Sequence, residues 1–287
     1  MTFIFFYITI FMLMKKFLVF IITITIIGFN SNLLAQGNLM IYPKRVVFNK
    51  SEVKKTITLI NTSAKKSTFS VKFIQRRMNS DGSFTAIESP GPGQNFADAH
   101  LRIYPRVVSL EPGESQKVSV QRKRARNMKI GEYRSHLLFI ANPEIKPLTS
   151  EEKEEELNSN DLSTVITTNV GISIPVIMRV GEVAMSIIIG DLKLEENILT
   201  FTLNREGDIS SYGDLLFEHT AINNTTTTIG KIRGIAVYTT IKTRKMKYDL
   251  SSLKDTYLTE GSLKIVYQTS PGSKQEKFSE ATILLKK

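Results

Sequence analysis

The run D-L-S-T-V-I-T-T-N-V-G-I-S-I-P-V-I-M-R, Asp161 to Arg179, decides the fold. Every second residue from Thr164 gives Thr164, Ile166, Thr168, Val170, Ile172, Ile174, Val176 and Met178, and six of these eight are aliphatic or Met. The other phase is mostly small or polar, with Ser163, Thr167, Asn169, Gly171, Ser173 and Pro175. A period of two marks one face of an extended strand. At about 3.3 Å per residue such a strand would reach roughly 50 Å, whereas strands usually run to about five or six residues. Part of it is therefore expected to project beyond its own core and offer apolar side chains elsewhere. The alternative is two ordinary core strands bent at Gly171.

Upstream, Lys15 and Lys16 precede an almost unbroken apolar run, Phe17 to Ile27, and Leu33-Leu34-Ala35 follows a polar Asn-Ser-Asn. This is the pattern of a signal peptide spanning 1–35, cut before Gln36. The run is short for a membrane span of about 20 residues, so no stable membrane insertion is expected after cleavage. The alternative is a retained anchor that also uses the apolar residues 1–13. The formal charge of +11 falls to +9 once Lys15 and Lys16 are removed. There is no cysteine, which excludes disulfides, cysteine nucleophiles and thiolate metal sites.

The remainder reads as β structure. Leu39–Ile41, Val46–Phe48, Lys55–Ile60, Thr68–Ile74, Ile103–Leu110, Gln116–Val120 and Tyr133–Ile140 are the predicted strands of a first domain, 36–180, with Ser80 to Ala97 as loop. Asn142 to Leu162, with its charge run Glu151 to Glu156, is a polar loop leading into the long strand. A second series follows a hinge at Arg179 to Ala184: Met185–Ile189, Ile198–Leu203, Leu215–His219, Gly234–Ile241, Ser262–Tyr267 and Ala281–Leu285. Short strands at roughly 8–12 residue spacing predict sandwiches. The fold class is all-β, two immunoglobulin-like β-sandwich domains in tandem, with 181–287 as the second.

Residues for enzyme chemistry are sparse. His100, His136 and His219 lack metal-ligand spacing. His136, in an alternating strand, reads as packing or surface. No nucleophile elbow, phosphate loop or dinucleotide fingerprint occurs. The basic run Gln121 to Lys129 lacks interleaved aromatics, so nucleic acid is not expected. We expect no enzyme activity, no cofactor and no metal.

Four motifs carry a resemblance. Arg45-Val46-Val47-Phe48, Lys55 to Thr62, the turn within Arg106 to Gln116, and the long strand ending at Arg179 are similar to the periplasmic pilus-assembly chaperones of the PapD-like family. The resemblance covers residues 39 to 287. In the second domain it rests on size and strand pattern.

The resemblance implies a periplasmic chaperone whose partners are pilus or surface-fibre subunits and an outer-membrane usher. Such subunits lack one strand and expose an apolar groove with an unpaired edge. The chaperone lends its own strand to fill it. By position, the lending residues would be Thr164, Ile166, Thr168 and Val170. Arg45 matches the cleft Arg that anchors the subunit's C-terminal carboxylate, and Arg179 matches the inter-domain salt-bridge Arg, with Glu132 as its partner. The family's cleft Lys is not matched, because Pro175 occupies that position. Three explanations remain: a bulge at Gly171 shifts the register, another cation substitutes, or Arg45 acts alone. The competing functional class is an exported immunoglobulin-like binding or adhesion module without chaperone activity.

Overall fold

Two consecutive strands switch sheets at a Tyr-Pro step. Strand β1 (Leu39–Tyr42) lies in one sheet and β2 (Val46–Phe48) in the facing one; likewise β7 (Leu101–Tyr104) and β8 (Val107–Leu110). The sequences at the two crossings repeat each other, Leu39-Met40-Ile41-Tyr42-Pro43 and Leu101-Arg102-Ile103-Tyr104-Pro105. Both Tyr–Pro bonds are cis. Proline has no N–H to give to a ladder, so each ladder stops there. The expected single strand Ile103–Leu110 is thus two strands, one per sheet.

The computed structural model describes residues 39–49, 52–124, 128–142, 171–253, 259–271 and 276–285. The expected signal segment, the charge run Glu151 to Glu156, and Thr164, Ile166, Thr168 and Val170 lie outside the described residues.

The chain is all-β. In the first sandwich, β3 (Lys54–Asn61) and β9 (Ser115–Arg122) build a four-stranded sheet in the order β1-β3-β9-β7. Facing it, β4 (Ser67–Ile74), β10 (Gly131–Ala141) and β11 (Gly171–Val180) form a five-stranded sheet ordered β2-β11-β10-β4-β8. The even phase of the long strand, Ile172, Ile174, Val176 and Met178, packs in the core between these sheets with Phe48, Ile57 and Phe139. The odd-phase Ile177 is also buried, but in a separate cluster with Met78, Ala236 and Tyr238.

The connection Leu110 to Ser115 shows how local chemistry fixes a turn. Gly113 has φ +75, a region that side chains disfavour. Its N–H bonds Asn61 O at 2.9 Å, and Glu114 returns its carboxylate to the N–H of Glu111 at 2.8 Å. Asn61 is fully buried and its side-chain amide donates to Leu110 O (3.0 Å) and Lys65 O (2.8 Å).

The second sandwich pairs a sheet of β12 (Met185–Glu195), β13 (Ile198–Gly207) and β16 (Thr243–Asp249) with one of β14 (Ser211–Thr220), β15 (Thr226–Val237), β17 (Gly261–Gln268) and β18 (Lys277–Leu285). Its core includes Phe201, Leu203, Phe217, Val237 and Ile265. Strand β16 is absent from the sequence expectation. Its motif Thr-Arg-Lys-Met-Lys-Tyr-Asp is so charged that only Met246 is buried. The expected Gly234–Ile241 strand runs instead from Thr226 and ends at Val237.

Within the predicted loop Ser80 to Ala97 sits β6 (Phe84–Ala86), paired with β5 (Arg76–Met78) as a small hairpin. Its tip reaches the second sandwich, where Lys245 N donates to Ser80 O at 2.6 Å. Both sandwiches belong to one compact unit, Leu39–Lys287.

Candidate functional site

Sheet switching puts Arg45 where it can act. It follows Pro43 and Lys44 and immediately precedes β2, so its side chain leaves the first sandwich at the junction with the second. Its guanidinium donates to the Tyr238 hydroxyl (Nη1, 3.0 Å) and to Ser210 Oγ (Nη2, 3.1 Å). It also lies 4.6 Å from the ring centroid of Tyr212. All three partners belong to the second sandwich, and none is an acid. Arg45 has no ion-pair partner among the described residues.

Glu132 and Arg179 face each other across the β10–β11 ladder. Arg179 Nε stands 3.8 Å from Glu132 Oε2. That is an ion pair without a hydrogen bond, since the distance is too long for one. Both residues are on the first sandwich, so the expected pair is cross-strand; the link to the second sandwich passes through Ser210. Ser210 gives its N–H (2.9 Å) and its Oγ–H (2.8 Å) to Glu132 Oε2, and its carbonyl accepts from Arg179 Nη2 at 3.4 Å. Burial works against the charge on Arg179, while Glu132 supports it.

Behind this layer, Arg134 lies 3.8 Å from the centroid of the Tyr238 ring and donates to Arg76 O at 3.1 Å. His136, two residues further along β10, meets Phe84 edge-on at 5.5 Å. Burial first, then the cations Arg134, Arg76 and Arg45, push its pKa down to about 3. It is therefore a neutral packing residue, with only 4% of its surface exposed.

An open cleft of about 820 Å³ between the sandwiches is lined by Lys44, Arg45, Arg233, Arg244, Tyr212 and Tyr238, with Pro175 at its wall. The acid in the lining, Asp214, is already engaged. Lys231 is 3.1 Å from it, and Ser270 Oγ and Gly234 N donate to it at 2.6 and 3.1 Å. Burial raises its pKa, but these contacts outweigh that and hold it below the usual value. The cleft is thus strongly cationic, and an anion would be attracted there.

Pro175 does line the cleft, opposite His136. The β10–β11 register runs unbroken from Gly131↔Val180 to Ile140↔Gly171. From Gly171 to Val180 the ladder therefore has no bulge, and Pro175 keeps its register with Arg179.

Strand β2 runs parallel to β11 and pairs with Val176, Ile177 and Met178. On that same side, Gly171 to Pro175 have no ladder partner among the described residues. The open edge ends where β2 begins, next to Arg45.

Sequence reasoning missed Ser210, Tyr212 and Tyr238. Ser210 lies in the connection between β13 and β14, and Tyr238, inside the predicted strand Gly234–Ile241, falls just past the end of β15; nothing in the local pattern marks either for the junction. Arg45, Arg179 and Glu132 do meet around Ser210.

No family model matches the sequence, and no curated protein matches it. Solved structures do show a similar course of the chain. The CupB2 chaperone of Pseudomonas aeruginosa is 12% identical, covering 86% of this chain and 100% of its own, with a TM-score of 0.44. The CsuC–CsuE chaperone–tip adhesion subunit pre-assembly complex of Acinetobacter baumannii gives 14% identity, coverage of 84% and 97%, and a TM-score of 0.43. The E. coli chaperone DraB gives 13%, coverage of 86% and 96%, and 0.38.

Proposed function

We propose that this protein is a periplasmic chaperone for pilus or surface-fibre subunits, handing them to an outer-membrane usher. One observation carries the proposal: among the described residues, Gly171 to Pro175 of β11 have no ladder partner on the side that ends at Arg45. A strand added to that edge, parallel to β11 and collinear with β2, would finish beside the guanidinium. Its terminal carboxylate would then meet an unpaired cation in a cationic cleft. Residues Thr164, Ile166, Thr168 and Val170 continue the apolar phase of β11 backwards in sequence, and would be lent to the subunit's groove.

The physics of such capture is two-fold. Backbone N–H and C=O groups of an incomplete sandwich pair with the open edge, and alternate side chains fill its groove. The carboxylate fixes the register, because an arginine fork holds it at the end of the ladder. The motif resemblance at Arg45 to Phe48 and at Arg106 to Gln116 supports the same reading.

The test is recovery of the protein with its partner from a periplasmic extract. The partner should be a sandwich subunit lacking one strand. A charge-assisted hydrogen bond contributes about 1.5–3 kcal/mol, so Arg45→Ala should weaken capture by at least about tenfold. Undiminished recovery by that variant would remove Arg45 from the site. Absence of any aggregation-prone partner would favour an exported binding module instead.

A further inference from the structure

Proton bookkeeping around Arg45 assigns a donor and an acceptor to each contact. Ser210 has one hydroxyl proton, and it goes to Glu132 Oε2. The Ser210 oxygen must therefore accept from Arg45 Nη2. Tyr238 is the mirror case. Its oxygen accepts from Arg45 Nη1, and the Arg134 guanidinium lies 3.8 Å over its ring. Its own proton has no acceptor among the described residues. Two cations beside a hydroxyl polarise it and make it a stronger donor. Tyr238 is itself part of the cleft lining.

The packing keeps this arrangement in place. Tyr238 is 4% exposed and is buried with Met78, Ile177 and Ala236. The Phe84 ring stands 6.0 Å away. Arginine has five N–H groups. Those not used on Ser210 and Tyr238 remain for an incoming anion. A long side chain held beforehand also loses less freedom when the anion arrives.

We propose that the second sandwich supplies half of the carboxylate site: the Tyr238 hydroxyl donates to the partner's terminal carboxylate beside Arg45, and Ser210 positions Arg45. This rests on Arg45 meeting that carboxylate. It gives the cleft a second donor despite Pro175, a neutral hydroxyl in place of a second cation on β11. It also makes the site dependent on both sandwiches being in contact.

The experiment uses a labelled peptide of about ten residues, alternating valine and threonine behind two N-terminal lysines. It is made with a free C-terminal carboxylate and again as the amide. Binding of both to the intact protein is measured by fluorescence anisotropy. The wild type should prefer the carboxylate by about tenfold. Tyr238→Phe keeps the ring and removes only the donor. It should cut that preference by about threefold to tenfold, leave amide binding unchanged and leave the thermal midpoint nearly unchanged. Ser210→Ala should also reduce the preference, because Arg45 loses a fixed acceptor. Equal loss for both peptides in Tyr238→Phe, or no loss for either, would overturn the assignment. Two results strike instead at the underlying role of Arg45: a wild type indifferent to the terminus, and an Arg45→Ala variant that keeps the full preference.

Discussion

Ser210 gives both its backbone N–H and its hydroxyl proton to one carboxylate oxygen, Oε2 of Glu132, at 2.9 and 2.8 Å. The Glu132 side chain is completely buried. A buried carboxylate is costly unless several donors satisfy it. Here two come from the neighbouring sandwich, and the nearest cation, Arg179, adds charge but no hydrogen bond. The junction between the sandwiches is thus built around one acid, and the same serine then receives Arg45.

Removing that acid should loosen the junction. Glu132→Ala leaves Arg179 and the Ser210 donors without their partner and is expected to cost about 3 kcal/mol, in the range for breaking a buried pair. Ser210→Ala removes the hydroxyl that gives to Glu132 and receives from Arg45 but keeps the backbone donor, and is expected to cost less, about 2 kcal/mol. Urea unfolding of the two variants gives the ranking. Equal, negligible losses would mean that the junction is held elsewhere, chiefly by Met78, Ile177, Ala236 and Tyr238.

The hairpin tip offers a second handle. Gly82 has φ +87, and a Cβ there would overlap the Arg244 guanidinium. Arg244 donates to Ala236 O at 2.6 Å, next to Tyr238. Gly82→Ala should therefore cost about 1–3 kcal/mol and make the hairpin easier to cleave in limited proteolysis. Protection equal to the wild type would show that the tip is not held by this contact.

Acid sensitivity follows from His136. Its folded pKa is about 3, against 6.5 as the ordinary value. Between these values the unfolded chain binds the proton and the folded one does not, so stability rises with pH there. The contribution is complete above about pH 6.5 and is lost progressively as pH falls towards 3. Its slope is at most about 1.4 kcal/mol per pH unit. His136→Gln should flatten the decline of unfolding free energy across that window. An identical slope would mean that other groups carry it.

The targeting expectation is independent of the fold. N-terminal sequencing of exported protein should begin near Gln36. A mature chain retaining Lys15 and Lys16 would contradict a cleaved signal.

Much of the first sandwich was legible because burial alternates with the pleat. Lys55 to Ile60 and the even phase from Ile172 to Met178 place every second side chain in the core, and the turn around Gly113 announces itself by its residues. Two features escaped for physical reasons. At Tyr42-Pro43 and Tyr104-Pro105 the chain changes sheets without breaking its apolar pattern, so the second crossing read as one strand. Strand β16 buries only Met246, which leaves too little apolar periodicity to detect. The cleft was half legible. Arg45 and Arg179 stand out as cations flanking apolar runs, whereas Ser210 and Tyr238 matter only through contacts between residues far apart in the chain, 78 positions for Ser210 with Glu132 and 193 for Tyr238 with Arg45, which no local pattern encodes.

If the segment before Gly171 is lent to a partner strand, two variants should part ways in thermal melts and in partner recovery from the periplasm. The Ile166→Asp, Val170→Asp double variant should melt close to the wild type yet recover no subunit, which would aggregate. Ile174→Asp is the control. That residue is 3% exposed in the core, and a buried charge there costs several kcal/mol, comparable to the stability of a domain, so this variant should not fold. Collapse of the 166/170 variant itself, or normal subunit recovery by it, would contradict strand lending.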